Sequence, residues 1–134
     1  MHPLYVRCGL SNHLPGRNLL LGGLGAVHCA RHRIPGLALA VLADNPFPDA
    51  TPAFLADLGR VASRALGQHV AIRAPFRRLE KAAVICRGRD LPLALTLSCA
   101  RPRGLHHCGR CTKCAERQRA FAAAGVPDPT RYAR

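Results

Sequence analysis

The sequence predicts an α/β protein: a partial parallel sheet with crossover helices, followed by a C-terminal zinc-binding helical appendage. Three observations carry this expectation. Short apolar runs alternate with helix-patterned segments in the order strand, helix, strand, helix, strand, helix, the alternation that builds parallel sheets with ligands at the carboxyl ends of the strands. Hydrophobic residues make up 49% of the 134 and aromatics only 4%. The core must therefore come from Leu, Ala, Val and Ile, which suits α/β layers better than a β-sandwich. Finally, Cys99, Cys108, Cys111 and Cys114 fall within sixteen residues.

Taken in order, residues 3–8 (PLYVRC) are rich in β-formers and read as a short buried strand. A turn from His13 to Asn18 follows, in which Asn18 can cap an apolar helix over residues 19–34. Gly22, Gly23 and Gly25 weaken that helix by about 1 kcal/mol each at interior positions, and Pro35 and Gly36 end it. Residues 37–43 (LALAVLA) are continuously apolar, the pattern of a strand covered on both faces. After a polar loop, Thr51 caps a helix with Pro52 at its first position. Phe54, Leu55, Leu58, Val61, Ala62 and Ala65 form its stripe, and Gly67 stops it. Residues 69–73 (HVAIR) are the third strand candidate, and 79–87 a helix ended by Gly88. The last helix spans 112–124, with Gly125 beyond it. Cys8, Cys29 and Cys86 lie in apolar segments and read as small buried hydrophobes.

Four thiolates at this spacing can close a tetrahedral shell around Zn²⁺. If Cys111 opens the last helix, Cys111 and Cys114 stack one turn apart, and Cys99 and Cys108 close the site from the loop side. An iron–sulfur cluster is the alternative, because CxxCxxC also occurs in ferredoxin-type runs. No apolar leader is visible, so a reducing compartment is expected and metal is favoured over a disulfide. His106 and His107 are read as supporting or solvated neighbours, since four cysteines suffice. The formal net charge is +13, yet only Lys81 and Lys113 among the twenty Lys and Arg are Lys, and the basic residues are spread along the chain. A nucleic-acid surface is therefore an alternative but not the favoured one; anionic nucleotides or pyrophosphate explain the field equally well. Arg101 and Arg103 beside the cysteines either meet an anion or solvate their loop. No run approaches the length of a membrane span, and the expected location is cytoplasmic.

The stretch Leu97-Ser98-Cys99, His107-Cys108-Gly109-Arg110-Cys111-Thr112-Lys113-Cys114, Glu116-Arg117, Ala120-Phe121, Ala124-Gly125-Val126 and Asp128-Pro129-Thr130 resembles the C-terminus of 7-cyano-7-deazaguanine synthases. These are zinc-containing members of the PP-loop ATP pyrophosphatase superfamily. Upstream, Pro15-Gly16-Arg17-Asn18 is similar to the family's Pro-x-Arg-Asn turn. Pro48-Asp49 with Pro52 and Phe54 is similar to its Pro-Asp-cysteine-Arg-Pro-x-Phe segment, with Ala50 and Thr51 standing where the family has Cys and Arg. Leu79-Glu80-Lys81 with Val84-Ile85 looks like its Leu-Thr-Lys-x-Glu-Ile helix start. The resemblance covers residues 13–132. The family's Ser-Gly-Gly-x-Asp-Ser loop does not occur, and the run Leu21-Gly22-Gly23-Leu24-Gly25 reads instead as small residues at a close helix–sheet contact.

The resemblance implies a PP-loop (adenine nucleotide alpha hydrolase-like) domain truncated at its N-terminus over residues 1–94 and a four-cysteine zinc segment over 95–134. It implies ATP-dependent conversion of 7-carboxy-7-deazaguanine and ammonia to the nitrile in queuosine (preQ0) biosynthesis. ATP with Mg²⁺ would be the co-substrate and zinc structural. Arg17, Asn18, Asp49 and Lys81 would face the deazapurine substrate or the nucleotide, with Cys99, Cys108, Cys111 and Cys114 on the metal; the catalytic residues stay unassigned. Without the loop the chain alone is not expected to be active, and a homodimer or an N-terminal partner segment would complete it. The rival class is a non-catalytic zinc module that binds RNA or a protein.

Overall fold

The computed structural model describes residues 14–133, and the chain divides into two compact units between Arg78 and Leu79. The strand expected over residues 3–8, with Cys8, and His13 of the first turn lie outside the described residues.

The first unit begins with α1 (Arg17–Arg31). Asn18 does not cap it. The N-cap position is Gly16, at a left-handed φ of 71°, and no side chain of its own supplies the cap. Asn18 is instead in the first turn, buried, and both its backbone N–H and its side-chain amide donate to the Asp49 carboxylate, at 2.8 and 3.2 Å. A carboxylate on a free N–H of the first turn satisfies an orphan donor and complements the positive end of the helix. Asp49 is thus the cap, delivered from 31 residues away by the short 3₁₀ turn Pro48–Ala50.

The helix also ends earlier than residue 34. Arg33 adopts φ 54°, its N–H returns to Ala30 O, and the Ile34 N–H returns to Cys29 O at 2.8 Å. This is a Schellman closure, made here by Arg where glycine is usual.

β1 (Gly36–Ala38) pairs in parallel with β2 (Ala71–Arg73), with Gly36, Leu37 and Ala38 opposite Ala71, Ile72 and Arg73. Between them α2 (Pro52–Leu66) supplies the crossover that parallel pairing needs. Its start follows the sequence closely: Pro52 is its first residue, and Thr51 Oγ1 accepts from the Phe54 N–H at 3.2 Å. Gly67 closes it at φ 66°. The buried seam of α2 is narrower than the predicted stripe. Leu55 and Gly59 are buried, whereas Val61 is 63% exposed and Ala65 is also exposed.

The core of this unit joins Ala26, Cys29 and Val70, with Leu37, Ala62 and Leu66 packed around them. Cys29 is a buried small hydrophobe, as expected. The glycine run of α1 is the contact surface. A Cβ at Gly22 would lie 2.7 Å from Leu58 Cδ2 of α2, and one at Gly25 only 2.6 Å from Leu37 Cδ1 of β1. The helix tolerates glycines because they let it approach helix and sheet.

The strand expected over 37–43 shortens to three residues. Beyond Ala38 only the Leu39 N–H continues the ladder, to Arg73 O at 2.8 Å; Ala74 and Pro75 then follow β2, and Pro75 brings no donor. Nor do the described residues cover both faces. Leu37 and Ile72 face the helices, while Gly36, Ala38, Ala71 and Arg73 line an open depression of about 450 Å³ on the other side.

The second unit comprises α3 (Lys81–Arg87), a 3₁₀ turn at Leu93–Leu95, a loop region and α4 (Thr112–Ala124). α3 packs on α4 but buries no residue fully, so Cys86 is exposed and not the buried hydrophobe that its apolar neighbours suggest. α4 ends at Gly125, φ 64°. No helix among the described residues is long and apolar enough to cross a membrane.

Asp49→Ala should lower the unfolding free energy by about 1–2 kcal/mol, the cost of a lost cap. Asn18→Ala should cost less, because its N–H still reaches Asp49. Urea titrations of both variants check the order; equal stability of wild type and Asp49→Ala would contradict the capping role.

Candidate metal centre

Cys111 is the N-cap of α4, and its Sγ accepts the Cys114 N–H at 3.4 Å. The helix start thereby fixes two sulfurs one turn apart, 3.5 Å from each other. Cys108 reaches them through a turn at Gly109, whose φ of 75° suits glycine. Cys99 comes from the opposite loop, its Sγ accepting from the N–H groups of Cys108 at 3.2 Å and Arg101 at 3.3 Å. The Cys99–Cys111 and Cys108–Cys114 sulfurs are 3.9 and 4.0 Å apart, and all four lie within 4.8 Å of one another. A tetrahedron of 2.3 Å Zn–S bonds requires edges of about 3.8 Å. The four cysteines are free thiols at that spacing and can hold a metal ion. An iron–sulfur cluster places several irons and inorganic sulfides between its cysteines, so a shell this tight fits a single ion better.

The thiols are not equivalent before metal enters. Burial raises the Cys111 thiol, but hydrogen bonds from the Ala100 and Cys114 backbones and from the Cys114 and Cys108 thiols outweigh it and hold it at about 6. Burial, aided by the hydrogen bond with Cys111, pushes Cys114 up to about 12. A metal ion bound here would require all four thiols to give up their protons.

A second layer holds these ligands. His107 is buried, and its Nε2 accepts the Ser98 N–H at 3.0 Å, fixing the residue before Cys99. Its ring meets Tyr132 edge-on at 5.9 Å, and burial, then Arg117, lowers its pKa. His106 is exposed. Arg117 is the hub: 5% exposed, it donates from Nε to Thr130 Oγ1 at 2.6 Å, from one terminal nitrogen to Thr96 Oγ1 at 2.9 Å and Ser98 Oγ at 3.2 Å, and from the other to Leu93 O at 3.0 Å. Its charge faces Asp128 at 3.7 Å and lies 4.9 Å over the Phe121 ring. Burial raises the Asp128 carboxyl, but hydrogen bonds from Thr130 and Tyr132 and the Arg117 charge bring it below the ordinary aspartate value. Asp128 therefore stabilises the unit above that ordinary value, and the contribution fades as pH falls through its depressed pKa.

Sequence reasoning named Arg117 only as part of a motif. The signal that marks it is positional: Cys114, Arg117, Ala120 and Phe121 share one buried stripe of α4, and an arginine on such a stripe must be bonded internally.

Of the other predicted site residues, Arg17 is exposed at the start of α1 beside the Asn18–Asp49 pair. Lys81 lies in the second unit, where its Nζ is 3.4 Å from Glu116 Oε2; Lys113 shares the same carboxylate at 2.9 Å. The structure thus joins Asn18 with Asp49 and the four cysteines with one another, and ties Lys81 to α4.

One unit with a small parallel sheet and packed helices, and another with a four-cysteine shell that could hold a metal ion, define an α/β protein with a candidate metal site. The family model of the queuosine biosynthesis protein QueC matches residues 9–125, and the chain belongs to that family. A 7-cyano-7-deazaguanine synthase of Anaeromyxobacter dehalogenans (strain 2CP-C) is 39% identical over 131 residues, covering 91% of this chain and 56% of the relative. Those of Rhizobium meliloti (strain 1021) and Rhizobium leguminosarum bv. trifolii (strain WSM2304) are 38% and 36% identical, each over 89% of this chain and 52% of the relative. The chain spans about half the length of the curated relatives it matches.

Arg117→Met should destabilise the second unit by about 1–3 kcal/mol, because Leu93 O, Thr96, Ser98 and Thr130 lose their donor and the half-buried Asp128 loses the charge it faces. Arg117→Lys should recover only part, lacking the planar fork. Thermal unfolding with zinc content measured in parallel checks this; an Arg117→Met protein as stable as wild type would refute it.

Proposed function

We propose that this chain serves as part of a 7-cyano-7-deazaguanine synthase of the PP-loop type, an ATP-dependent ligase acting in the cytoplasm on the route to queuosine. The observation that carries the reading is the 39% identity over 131 residues to a protein of that name. The reaction would run through adenylation of the substrate carboxylate, displacement by ammonia to give the amide, and a second activation that dehydrates the amide to the nitrile. ATP with Mg²⁺ supplies the activating group.

Cys99, Cys108, Cys111 and Cys114 hold one structural Zn²⁺ in this reading. The support is the sulfur spacing and the all-thiolate donor set, which suits a closed, non-catalytic site. Arg17, Asn18, Asp49 and Lys81 face substrate or nucleotide. Asp49, by anchoring the first turn of α1, also sets where the adjacent Arg17 guanidinium stands.

Completion comes from a second polypeptide segment, an N-terminal partner or a second copy, laid against the edge of β1 that no described strand pairs. Among the described residues the sheet has two three-residue strands, and a sheet this small is marginal unless more strands join it. Such a segment would bring the phosphate-binding loop that adenylation requires.

The test is carboxylate-dependent exchange of pyrophosphate into ATP. Exchange is expected when the chain is combined with the N-terminal half of a homologous synthase, and no exchange is expected from the chain alone. Failure of the combined, zinc-loaded preparation would overturn the reading. Separately, chelation should abolish the structure of the second unit, because metal-binding energy there is folding energy; backbone amide spectra unchanged after complete zinc removal would contradict the structural role.

A further inference from the structure

Arg101, Arg103 and Arg110 line one cleft of about 380 Å³ with Cys108 and Cys111. All three side chains are exposed, none has an ion pair or side-chain hydrogen bond among the described residues, and no carboxylate lines the cleft. The nearby acids are committed elsewhere: Glu116 to Lys113 and Lys81, Asp128 to Arg117, Thr130 and Tyr132. Gathering three like charges without a counter-ion is unfavourable unless an anion shares the site. Four thiolates around a divalent cation leave two negative charges, so three guanidiniums overcompensate the metal centre by one and still open onto solvent.

We propose that this cleft is a binding site for a small polyphosphate anion such as inorganic pyrophosphate. The planar guanidinium fork matches phosphate oxygens in pairs, and several such forks around a concave surface select for a multiply charged anion. A single-stranded RNA site would add aromatic platforms on which bases stack, and no aromatic side chain lines this cleft. The site is made by the turns that carry Cys99, Cys108 and Cys111.

The experiment is calorimetric titration of the zinc-loaded chain with inorganic pyrophosphate at about 0.15 M salt, where charges beyond about 8 Å are screened. One saturable site is expected. Arg101→Gln, Arg103→Gln and Arg110→Gln should each weaken it about tenfold, the scale of one charge-assisted contact, with zinc content unchanged. Arg87→Gln and Arg119→Gln, which remove equal charge elsewhere, should change it less than about twofold. Should Arg110→Gln lose zinc, Arg101→Gln, Arg103→Gln and Arg110→Lys carry the test. Absence of saturable binding, equal losses in the control variants, or tighter binding of a single-stranded RNA oligonucleotide than of pyrophosphate would overturn the proposal. Binding is read without turnover, so its failure leaves the synthase reading untouched.

Discussion

Four sulfur atoms have to meet within a few ångströms, and the second unit is built around that requirement. Its buried side chains are few: His107, Cys108, Cys114, Arg117, Ala120 and Phe121, of which only Phe121 is a large hydrophobe. Burial of so little apolar surface does not offset the entropy of ordering the loops between α3 and α4. Arg117 supplies part of the missing free energy through four hydrogen bonds that tie Leu93, Thr96, Ser98 and Thr130 to one helix, and a metal ion held by the four cysteines would supply more, about 10–16 kcal/mol for structural zinc at neutral pH. Sulfur shell and guanidinium network are complementary: the first closes the knuckle, and the second aims Ser98 and hence Cys99 into it.

The first unit follows a different logic. Its stability rests on one close-packed contact, where Gly22 and Gly25 of α1 admit Leu58 and Leu37, and on a carboxylate cap shared between distant segments. Among the described residues, helices cover only one side of its sheet. The large apolar residues Leu24 and Val61 are 71% and 63% exposed, and β1 pairs only with β2 among the described residues. The chain spans about half the length of the curated relatives it matches.

What could be read from the sequence was what is encoded locally. Thr51-Pro52 and Gly67 bracket α2, Gly125 closes α4, and the cysteine spacing marks the shell, because caps, turns and ligand intervals act within a few residues. What escaped depends on partners far along the chain. Asn18 has the chemistry of a cap, and only tertiary structure reveals that Asp49 takes that role. The apolar run 37–43 has the composition of a buried strand, but a strand is only as long as its neighbour, and β2 pairs for three residues. Arg117 resembled any helical arginine until its position on the Cys114 and Phe121 stripe was considered.

Zinc K-edge X-ray absorption on the purified chain tests the central claim most directly, since it reports the ion, the ligand atoms and their distance together. The account predicts a single scattering shell of four sulfurs at about 2.3 Å. A shell containing nitrogen or oxygen, or an iron edge with metal–metal scattering, would contradict it.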